Sequence, residues 1–463
     1  MRRFWPLPAL LLAGCMSMEP AYVQPDPAVP PSWPAGDSYL RQAEAELPAV
    51  TYRDIFSDAR LQRLIEQGLA NNRDLAAAAA NIAAARAQYR IQRAELFPQV
   101  DASLGVSGAE RDGAGTSADF SAGVGIPSFE LDLFGRVRSL SKAQLNRYFA
   151  SEAAARATRL ALVADIADAW LTYGADASLL AIAEDTAASA QRSVALTRAR
   201  LEGGIAPRTD LRQAELVLRS AEASVARQRT ALAQDVNLLQ LLVGAPIDPA
   251  LLPVSIEQAA PTVRPLPAGL SSLVLLRRPD VMESEFQLRA ANAEIGAARA
   301  ALFPRISLTG LLGLASSSLS GLFSGGAFGW NASADATYSI FRAGAGVANV
   351  RLSQAQRDAA IANYQKAVQT AFREVSDALA RQGTAGDELR AREAQQAAAA
   401  DNYRLSDARY REGIDSFLLT LDAQRTYFAA QQTLVQMRLE SASNRVDLYR
   451  ALGGDALYAP GPA

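Results

Sequence analysis

The chain of 463 residues contains no histidine and a single cysteine, Cys15. A Cys/His zinc site, a Ser-His-Asp triad and a Cys-His dyad each need an imidazole or several thiolates, so none of them can form. A glycosidase-type pair of carboxylates is still chemically possible, but no pattern in the sequence brings two of them into one pocket. We therefore expect no catalytic residue, no metal site and no cofactor.

The sequence also lacks an excess of charge of either sign. Lys and Arg number 46 against 48 Asp and Glu, a formal net charge of -2. Such a balance supplies no strongly basic surface for neutralising phosphates, so nucleic acid is not an expected partner. With 49% apolar and 20% charged residues, the composition is ordinary for a folded chain.

The N-terminus has the pattern of an export signal. Arg2 and Arg3 precede an apolar stretch, residues 4–13, that is too short to cross the roughly 30 Å core of a bilayer as a helix. We interpret residues 1–14 as a signal peptide. Leu12-Ala13-Gly14-Cys15 resembles the lipobox of bacterial lipoproteins, so Cys15 is expected to carry a covalent lipid, including palmitate. The alternative is a cleaved leader with an incidental cysteine.

The residue after the cysteine, Met16, is not the aspartate that in lipoproteins commonly favours inner-membrane retention, so the outer membrane is the expected location. Residues 15–50 are rich in proline, which favours an extended tether without a packed core of its own.

The remainder of the chain contains an internal duplication. Asn72-Arg73-Asp74-Leu75 is echoed by Arg278-Pro279-Asp280-Val281, and residues 94–98 by residues 300–304, each ending in Phe-Pro. Residues 199–205 match residues 408–414 in the same order. We predict a first repeat over residues 51–250, a linker over 251–275, a second repeat over 276–455 and a tail over 456–463.

Each repeat changes its hydrophobic period twice. Helix-forming residues over 70–96 and 281–302 stop at Phe-Pro, and strict alternation follows, which predicts hairpins at about 99–133 and 305–341. Turns are expected at 108–118 and 315–329, and a parity change at Pro127 predicts a bulge. Long proline-free runs, residues 135–201 and 343–412, predict paired helices with coiled-coil packing.

The hairpins could form a half-buried sheet in a soluble domain, but strands of about ten residues with one apolar face also fit a membrane barrel. Four strands cannot close a barrel, and open sheet edges are not tolerated in lipid, so the chain must form an oligomer. Two copies would give eight strands with a filled interior, whereas three would give twelve and leave a lumen.

Two motifs carry a family resemblance that covers nearly all of the mature chain. Phe129-Glu130-Leu131-Asp132-Leu133-Phe134-Gly135-Arg136 and Thr420-Leu421-Asp422-Ala423-Gln424-Arg425 resemble signatures of the TolC-like outer membrane factors, in the lipoprotein branch of resistance-nodulation-division (RND) efflux systems, also called NodT-type. The resemblance implies a mixed α and β membrane protein: a homotrimer with a twelve-stranded transmembrane β-barrel and a helical barrel in the periplasm. It also implies a periplasmic adaptor (membrane fusion) protein and an inner-membrane RND pump as partners, and antibiotic resistance as a physiological role.

A passive duct needs no catalytic group, so the functional residues are expected at the periplasmic tip. Leu418 and Asp422, four residues apart, share a helix face, and from spacing alone Asp422 could equally pair with Arg425 on a solvated surface. The resemblance implies that Leu418 and Asp422 build the gate, and that Tyr410 and Asp210, on neighbouring helix pairs, form a latch. Adaptor docking is expected at two turns, composed of Gly203, Gly204, Ile205 and Ala206 and of Gly413, Ile414, Asp415 and Ser416.

One residue departs from the family pattern. Asp415 occupies a position where some members carry arginine, so contacts made by that arginine cannot be transferred to this chain. An efflux duct is the leading hypothesis. A lipid-tethered coiled-coil spacer of the envelope and a duct for protein secretion are the alternatives, and the sequence does not identify the cargo.

Overall fold

The computed structural model describes residues 17–27, 29–30, 51–111, 115–265 and 272–454. The signal peptide, Cys15, most of the proline-rich segment and the tail over 456–463 lie outside the described residues. The helices are α1 (Tyr52–Ile55), α2 (Ala59–Asn71), α3 (Arg73–Ala94), α4 (Arg136–Glu202), α5 (Arg208–Val243), α6 (Ile256–Ala259), α7 (Pro279–Ala300), α8 (Ala345–Arg411) and α9 (Phe417–Ala451). The strands are β1 (Asp101–Arg111), β2 (Gly115–Leu131), β3 (Arg305–Ser316) and β4 (Phe328–Thr337).

The backbone confirms the duplication. Helices α4 and α8 have 67 residues each, and α3 and α7 have 22 each. Glycines with positive φ flank the equivalent helices of both repeats and lie 209 residues apart: Gly135 and Gly344, Gly204 and Gly413, Gly244 and Gly453. Because a residue with a Cβ is disfavoured at positive φ, glycine was kept at each equivalent position.

The four strands form one antiparallel sheet in the order β1-β2-β3-β4. The register shifts between Ile126 and Phe129, which confirms the bulge predicted at Pro127. The turn predicted at 108–118 is too long, because β1 continues to Arg111, which pairs with Gly115. In the second hairpin the return strand ends at Thr337, opposite Arg305, and not near Ile340. Pro304 precedes Arg305 and has no N–H to donate, so the ladder stops there.

The first helix predicted after residue 70 is in fact two helices. Asn72 has extended backbone angles between α2 and α3, and its side-chain Oδ1 accepts hydrogen bonds from the N–H groups of Asp74 and Leu75 at 2.8 and 3.1 Å. Its Nδ2 donates to the carbonyl of Leu242 on α5 at 2.8 Å. The break arises because a capping side chain satisfies backbone donors at the start of α3.

The chain forms two compact units, each built from both repeats. Unit 1 takes the N-terminal segment up to Asp26, Ala80–Ala153 with the first hairpin, and Met282–Lys366 with the second. Unit 2 takes Pro27–Ala79, Ala154–Val281 and the chain from Ala367 onward. Its core includes Trp170, whose indole donates to the carbonyl of Leu251 at 2.9 Å, and Phe56 packed edge-on against Tyr449. Among the described helices, none combines the length and apolarity that crossing a bilayer requires.

The first signature motif holds the junction between β2 and α4 in unit 1. Arg136 donates two hydrogen bonds to Glu130 at 2.8 and 2.7 Å, and the backbone N–H of Arg138 donates to Asp132 at 2.8 Å. Phe134 stacks on Phe303 with 4.6 Å between ring centroids. The acidic residues of the motif therefore anchor the strand end to the first turn of the helix that follows it.

The first described residues of the N-terminal tether contact other segments of unit 1. Glu19 pairs with Lys142 on α4 at 2.9 Å, and Asn292 on α7 donates to the carbonyl of Pro20 at 2.9 Å. The Tyr22 ring lies under the guanidinium of Arg289. Proline content predicts an extended backbone, but it does not reveal a groove that accepts that backbone.

A carboxyl group in unit 2, that of Asp168 on α4, is largely buried between α4 and α9. Its Oδ1 has no hydrogen-bond partner among the described residues. Burial raises the pKa of Asp168 to about 7; a hydrogen bond from Ser443 and the charge of Arg450 act against this, and the charges of Asp447 and Asp165 add to it. The folded protein therefore holds a proton on Asp168 more tightly than the unfolded chain does.

This shift predicts a pH dependence of stability. Because the pKa of Asp168 is raised in the folded state, its contribution to the free energy of unfolding is most favourable below about pH 4. That contribution declines by up to about 1.4 kcal/mol per pH unit as the pH rises to 7. Asp168→Asn should remove that decline, so that the variant is more stable than wild type by a few kcal/mol at pH 8 and similar at pH 4. Denaturant titrations in detergent across this pH range, with the exposed Asp185→Asn as control, would measure it. Parallel pH profiles for wild type and Asp168→Asn would contradict the assignment.

Candidate functional site

The two turns of the predicted tip, both in unit 2, have the same backbone geometry. In the first, the N–H of Ile205 donates to the carbonyl of Arg200 at 2.9 Å and that of Gly204 to Leu201 at 3.0 Å. In the second, Ile414 donates to Arg409 at 2.9 Å and Gly413 to Tyr410 at 3.0 Å. Each is a Schellman motif, in which a left-handed glycine lets the chain satisfy the last carbonyls of a helix and turn away.

The turns present small or apolar groups to solvent. The Ile205 and Ile414 side chains are 77% and 62% exposed, although both are large and apolar. A Cβ added to Gly204 or Gly413 would meet no atom within 4 Å, so the space around both glycines is open and only their φ angles of +70° and +78° require glycine. Pro207 and Ser416 precede the next helices without a side-chain cap. Both turns therefore offer exposed backbone as well as an exposed isoleucine.

The repeats diverge where an acidic residue is present in only one turn. Asp415 in the second turn corresponds to Ala206 in the first, and Arg409 corresponds to Arg200. Arg409 donates to both carboxylate oxygens of Asp415, at 2.5 and 3.0 Å. This hydrogen bond holds the pKa of the Asp415 carboxyl below its usual range. The second turn is thus closed by its own ion pair.

In the first turn, Ala206 offers no carboxylate, and Arg200 crosses to the second turn instead. Its guanidinium lies 4.4 Å from the centroid of the Tyr410 ring, and its Nη2 donates to the carbonyl of Arg411 at 2.8 Å. Sequence reasoning did not identify Arg200 as a functional residue. An alignment of the two repeats could have identified it, because Arg200 aligns with Arg409 but only Arg409 has an acidic residue, Asp415, in its turn.

An apolar cluster joins the two helix pairs behind the turns. Its buried members come from α4, α5, α8 and α9: Val194, Leu211, Ala214, Tyr410, Phe417 and Leu421. The rings of Tyr410 and Phe417 lie 5.3 Å apart. Thr420 supports the same region by donating to the carbonyl of Ser406 at 3.0 Å. The cluster holds both turns in one local structure, and Tyr410 is its link to Arg200.

The two predicted latch residues, Tyr410 and Asp210, form no hydrogen bond with each other within the described residues. Asp210 immediately precedes Leu211, which belongs to the same cluster as Tyr410. The Tyr410 hydroxyl is buried and has no hydrogen-bond partner in the part of the chain that the structure describes. A buried hydroxyl without a partner costs about 1–3 kcal/mol, so an acceptor that reached it would be favoured.

The predicted gate residues lie on the first turns of α9. Phe417 and Leu421 are buried, whereas Leu418 is 60% exposed and Asp422 is exposed. In the described part of the chain Asp422 makes no ion pair, with Arg425 or with any other residue. Leu418 and Asp422 therefore share a free face of the helix, opposite the side that packs into the cluster.

The comparisons with known proteins agree with this architecture. Residues 64–245 and 270–454 each match the model of the family described as outer membrane efflux protein. The chain is 44% identical over 455 residues to a probable efflux pump outer membrane protein, TtgC, of Pseudomonas putida KT2440, covering 96% of this chain and 94% of the relative. It is 40% identical over 457 residues to the outer membrane protein OprJ of Pseudomonas aeruginosa PAO1, with 96% and 95% covered.

Solved structures with the same fold include two outer membrane channels. The open state of the Neisseria gonorrhoeae MtrE channel superposes with a TM-score of 0.85 at 35% identity, covering 95% of this chain and 98% of that one. The Campylobacter jejuni CmeC channel gives a TM-score of 0.84 at 26% identity, with 95% of each chain covered. The match of the family model to both halves independently supports the duplication.

The contact between the turns leads to a prediction for Arg200. Arg200→Ala removes a cation over the Tyr410 ring and a donor to the Arg411 carbonyl, contacts of the kind worth about 0.5–2 kcal/mol. The amides of residues 409–414 should therefore exchange with deuterium roughly threefold to tenfold faster, as read by mass spectrometry. Arg192→Ala, at an exposed position on the same helix, should leave their exchange unchanged. Equal exchange in both variants would show that Arg200 does not hold the second turn.

Proposed function

This chain belongs to the outer membrane efflux protein family, and from that premise we propose that three copies assemble into a passive duct across the outer membrane. The duct receives small molecules from a periplasmic adaptor protein and an inner-membrane pump and releases them outside. It has no catalytic group of its own, so energy comes from the pump. Transport direction and cargo selection then belong to the partners, and the duct contributes a path and a gate.

The observation that carries this proposal is the pair of open sheet edges. Among the described residues, strands β1 and β4 each have a hydrogen-bonded neighbour on one side only. In a bilayer each unpaired N–H or C=O group costs several kcal/mol, so both edges must be paired. Pairing β4 of one copy with β1 of the next closes a ring under cyclic symmetry. Three copies give twelve strands, enough for a lumen.

We place the gate at the free face of α9. Around a threefold axis, Leu418 would form an apolar ring and Asp422 a ring of three carboxylates. Closely spaced carboxylates repel one another, and the ring attracts cations. The duct is proposed to rest in a closed state, in which attractive contacts elsewhere at the tip oppose that repulsion.

The proposed latch is the hydrogen bond between Tyr410 and Asp210 on adjacent helix pairs. The unpartnered Tyr410 hydroxyl supports this, because a hydrogen bond to the Asp210 carboxylate would satisfy it. A charge-assisted hydrogen bond of this type contributes about 1.5–3 kcal/mol. The open space around Gly204 and Gly413 supports adaptor docking at the two turns, with the exposed Ile205 and Ile414 as apolar contacts.

The proposed cargo follows the names of the relatives. One relative is called a toluene efflux pump protein and another an antibiotic efflux pump protein, both at 44% identity. Export of apolar small molecules, including antibiotics, is therefore the cargo class that we propose for this chain. We further propose that the mature protein is anchored through a lipid on Cys15.

Bilayer recordings test both the duct and the carboxylate ring. Purified wild-type protein should insert as a trimer and conduct with a preference for cations. A carboxylate at about 4 Å attracts a monovalent cation by about 1 kcal/mol in water, so Asp422→Asn should lower the cation-to-anion permeability ratio severalfold without abolishing conductance. Asp407→Asn serves as a control outside the proposed ring. No conductance from a trimeric wild type would refute the duct, and unchanged selectivity in Asp422→Asn would refute the ring.

The latch is tested by removing both of its members. Tyr410→Phe with Asp210→Ala should raise the open probability in the same recordings, because nothing then opposes the repulsion at the tip. Removing about 1.5–3 kcal/mol corresponds to roughly tenfold or more in the opening equilibrium. Tyr403→Phe, at another tyrosine of α8 outside the proposed latch, is the matched control. A double variant that opens as rarely as wild type would exclude the latch.

A further inference from the structure

A polar cleft of about 660 Å³ lies in unit 1, where the strands join the helices. Glu130 lines it from the end of β2 and Arg136 from the first residue of α4. Arg305 lines it from the first residue of β3, and Arg342 from the segment between β4 and α8. It is far along the chain from the tip turns, and no part of the duct mechanism uses it.

The cleft has more positive than negative charge. Glu130 is held by Arg136 at 2.7 Å, and Asp132, the other acidic residue of the lining, is held by Arg138. Arg305 makes only a longer contact of 3.3 Å with the already paired Glu130, and its side chain is 62% exposed. Within the ranges that the structure describes, Arg342 has no acidic partner. Two arginines are thus available for an anionic ligand.

The rim of the cleft is apolar and exposed. Ile340 and Phe341, which precede Arg342, are 92% and 86% exposed, and Tyr338 is more than half exposed. The backbone then passes through Ala343 at φ +48°, which among the described residues is the one non-glycine with a positive φ. Such a conformation is unfavourable for a residue with a Cβ and persists only where the surrounding structure holds the segment in place.

Exposed aromatic and aliphatic side chains beside arginines, one of them without an acidic partner and the other weakly paired, are the pattern of a site at a membrane surface. There, apolar groups enter the acyl region and cations meet phosphates. The sheet ends beside these side chains, since Tyr338 is the first residue after β4 and Ile340 follows two residues later. We propose that this cleft binds the phosphate-bearing headgroup of a phospholipid through Arg305 and Arg342, with Ile340 and Phe341 against its acyl chains.

This inference rests on the proposed membrane duct, because only then does the strand-to-helix junction lie at the lipid headgroups. The bound lipid would be drawn from the periplasmic leaflet, into which the strands descend before the helices begin. It would fix the depth of the barrel by tying the end of β4 to the leaflet surface. A neighbouring copy and free phosphate are the competing occupants, and the experiment separates them.

The test is native mass spectrometry of the purified trimer titrated with phosphatidylglycerol. Wild type should retain up to one phosphatidylglycerol per chain. Arg342→Gln should weaken phosphatidylglycerol retention about tenfold, because it removes a charge-assisted contact with the phosphate. The double variant Arg305→Gln with Arg342→Gln should weaken it further, because it removes a second such contact. Arg351→Gln, at an exposed arginine on α8 that does not line the cleft, should bind as wild type does. Arg342→Gln breaks no ion pair, so it reports on binding without disturbing the fold.

Three results would overturn the proposal. Retention that is equal in wild type and Arg342→Gln excludes the arginines as the headgroup site. Displacement of phosphatidylglycerol by millimolar inorganic phosphate identifies a free-phosphate site. Loss of trimers in Arg342→Gln, with no lipid bound to wild type, identifies the cleft as an interface between copies. If wild type itself fails to form conducting trimers, the proposed function fails, whereas conducting trimers without bound lipid contradict only this inference.

Discussion

The open backbone edges of β1 and β4 are the constraint on which the rest of the molecule depends. A sheet of four strands with one apolar face can neither bury that face nor satisfy its edges alone, and lipid offers no water to do so. The duplication satisfies the inner edges of the sheet, because each repeat contributes one hairpin and the two hairpins pair through β2 and β3. Oligomerisation then completes the ring that a single chain leaves open.

The junction between strand and helix transmits that constraint to the helices. Glu130 and Asp132 tie the end of β2 to Arg136 and Arg138 at the start of α4, and the left-handed Gly135 lies between them. The N-terminal segment reinforces unit 1, where Glu19 bridges to Lys142 on α4. Buried and half-buried ion pairs of this kind specify one arrangement more than they add net stability. They set the direction in which a long helix leaves the sheet.

In the two turns of the predicted tip, the equivalent arginines of the two repeats make different contacts. One acidic residue, Asp415, keeps Arg409 within its own turn, whereas Ala206 leaves Arg200 available to cross to Tyr410 and Arg411. The first helix pair thereby supports the second. The second pair, which carries Leu418 and Asp422 on its free face, is the one that we propose gates the duct.

The fold class came from the resemblance of two motifs to a known family. The sequence by itself determined the duplication, the succession of helical and strand segments in each repeat and the two turns that contain Gly204 and Gly413. These features follow from local rules: alternation of period two, proline after a helix end, and glycine at positive φ. The residues of both turns were predicted for the same reason, because Gly204 and Gly413 interrupt strong helical patterns.

Only the tertiary structure decided which residues meet across long separations. The Arg200 contact with Tyr410, the docking of Glu19 on Lys142 and the unpartnered Tyr410 hydroxyl join or isolate groups that the sequence places far apart. The capping of α3 by Asn72 was local and yet missed, because the same side chain also reaches Leu242 on another helix. Such contacts depend on how completed elements pack, and packing brings together side chains whose separation along the chain carries no periodic signal.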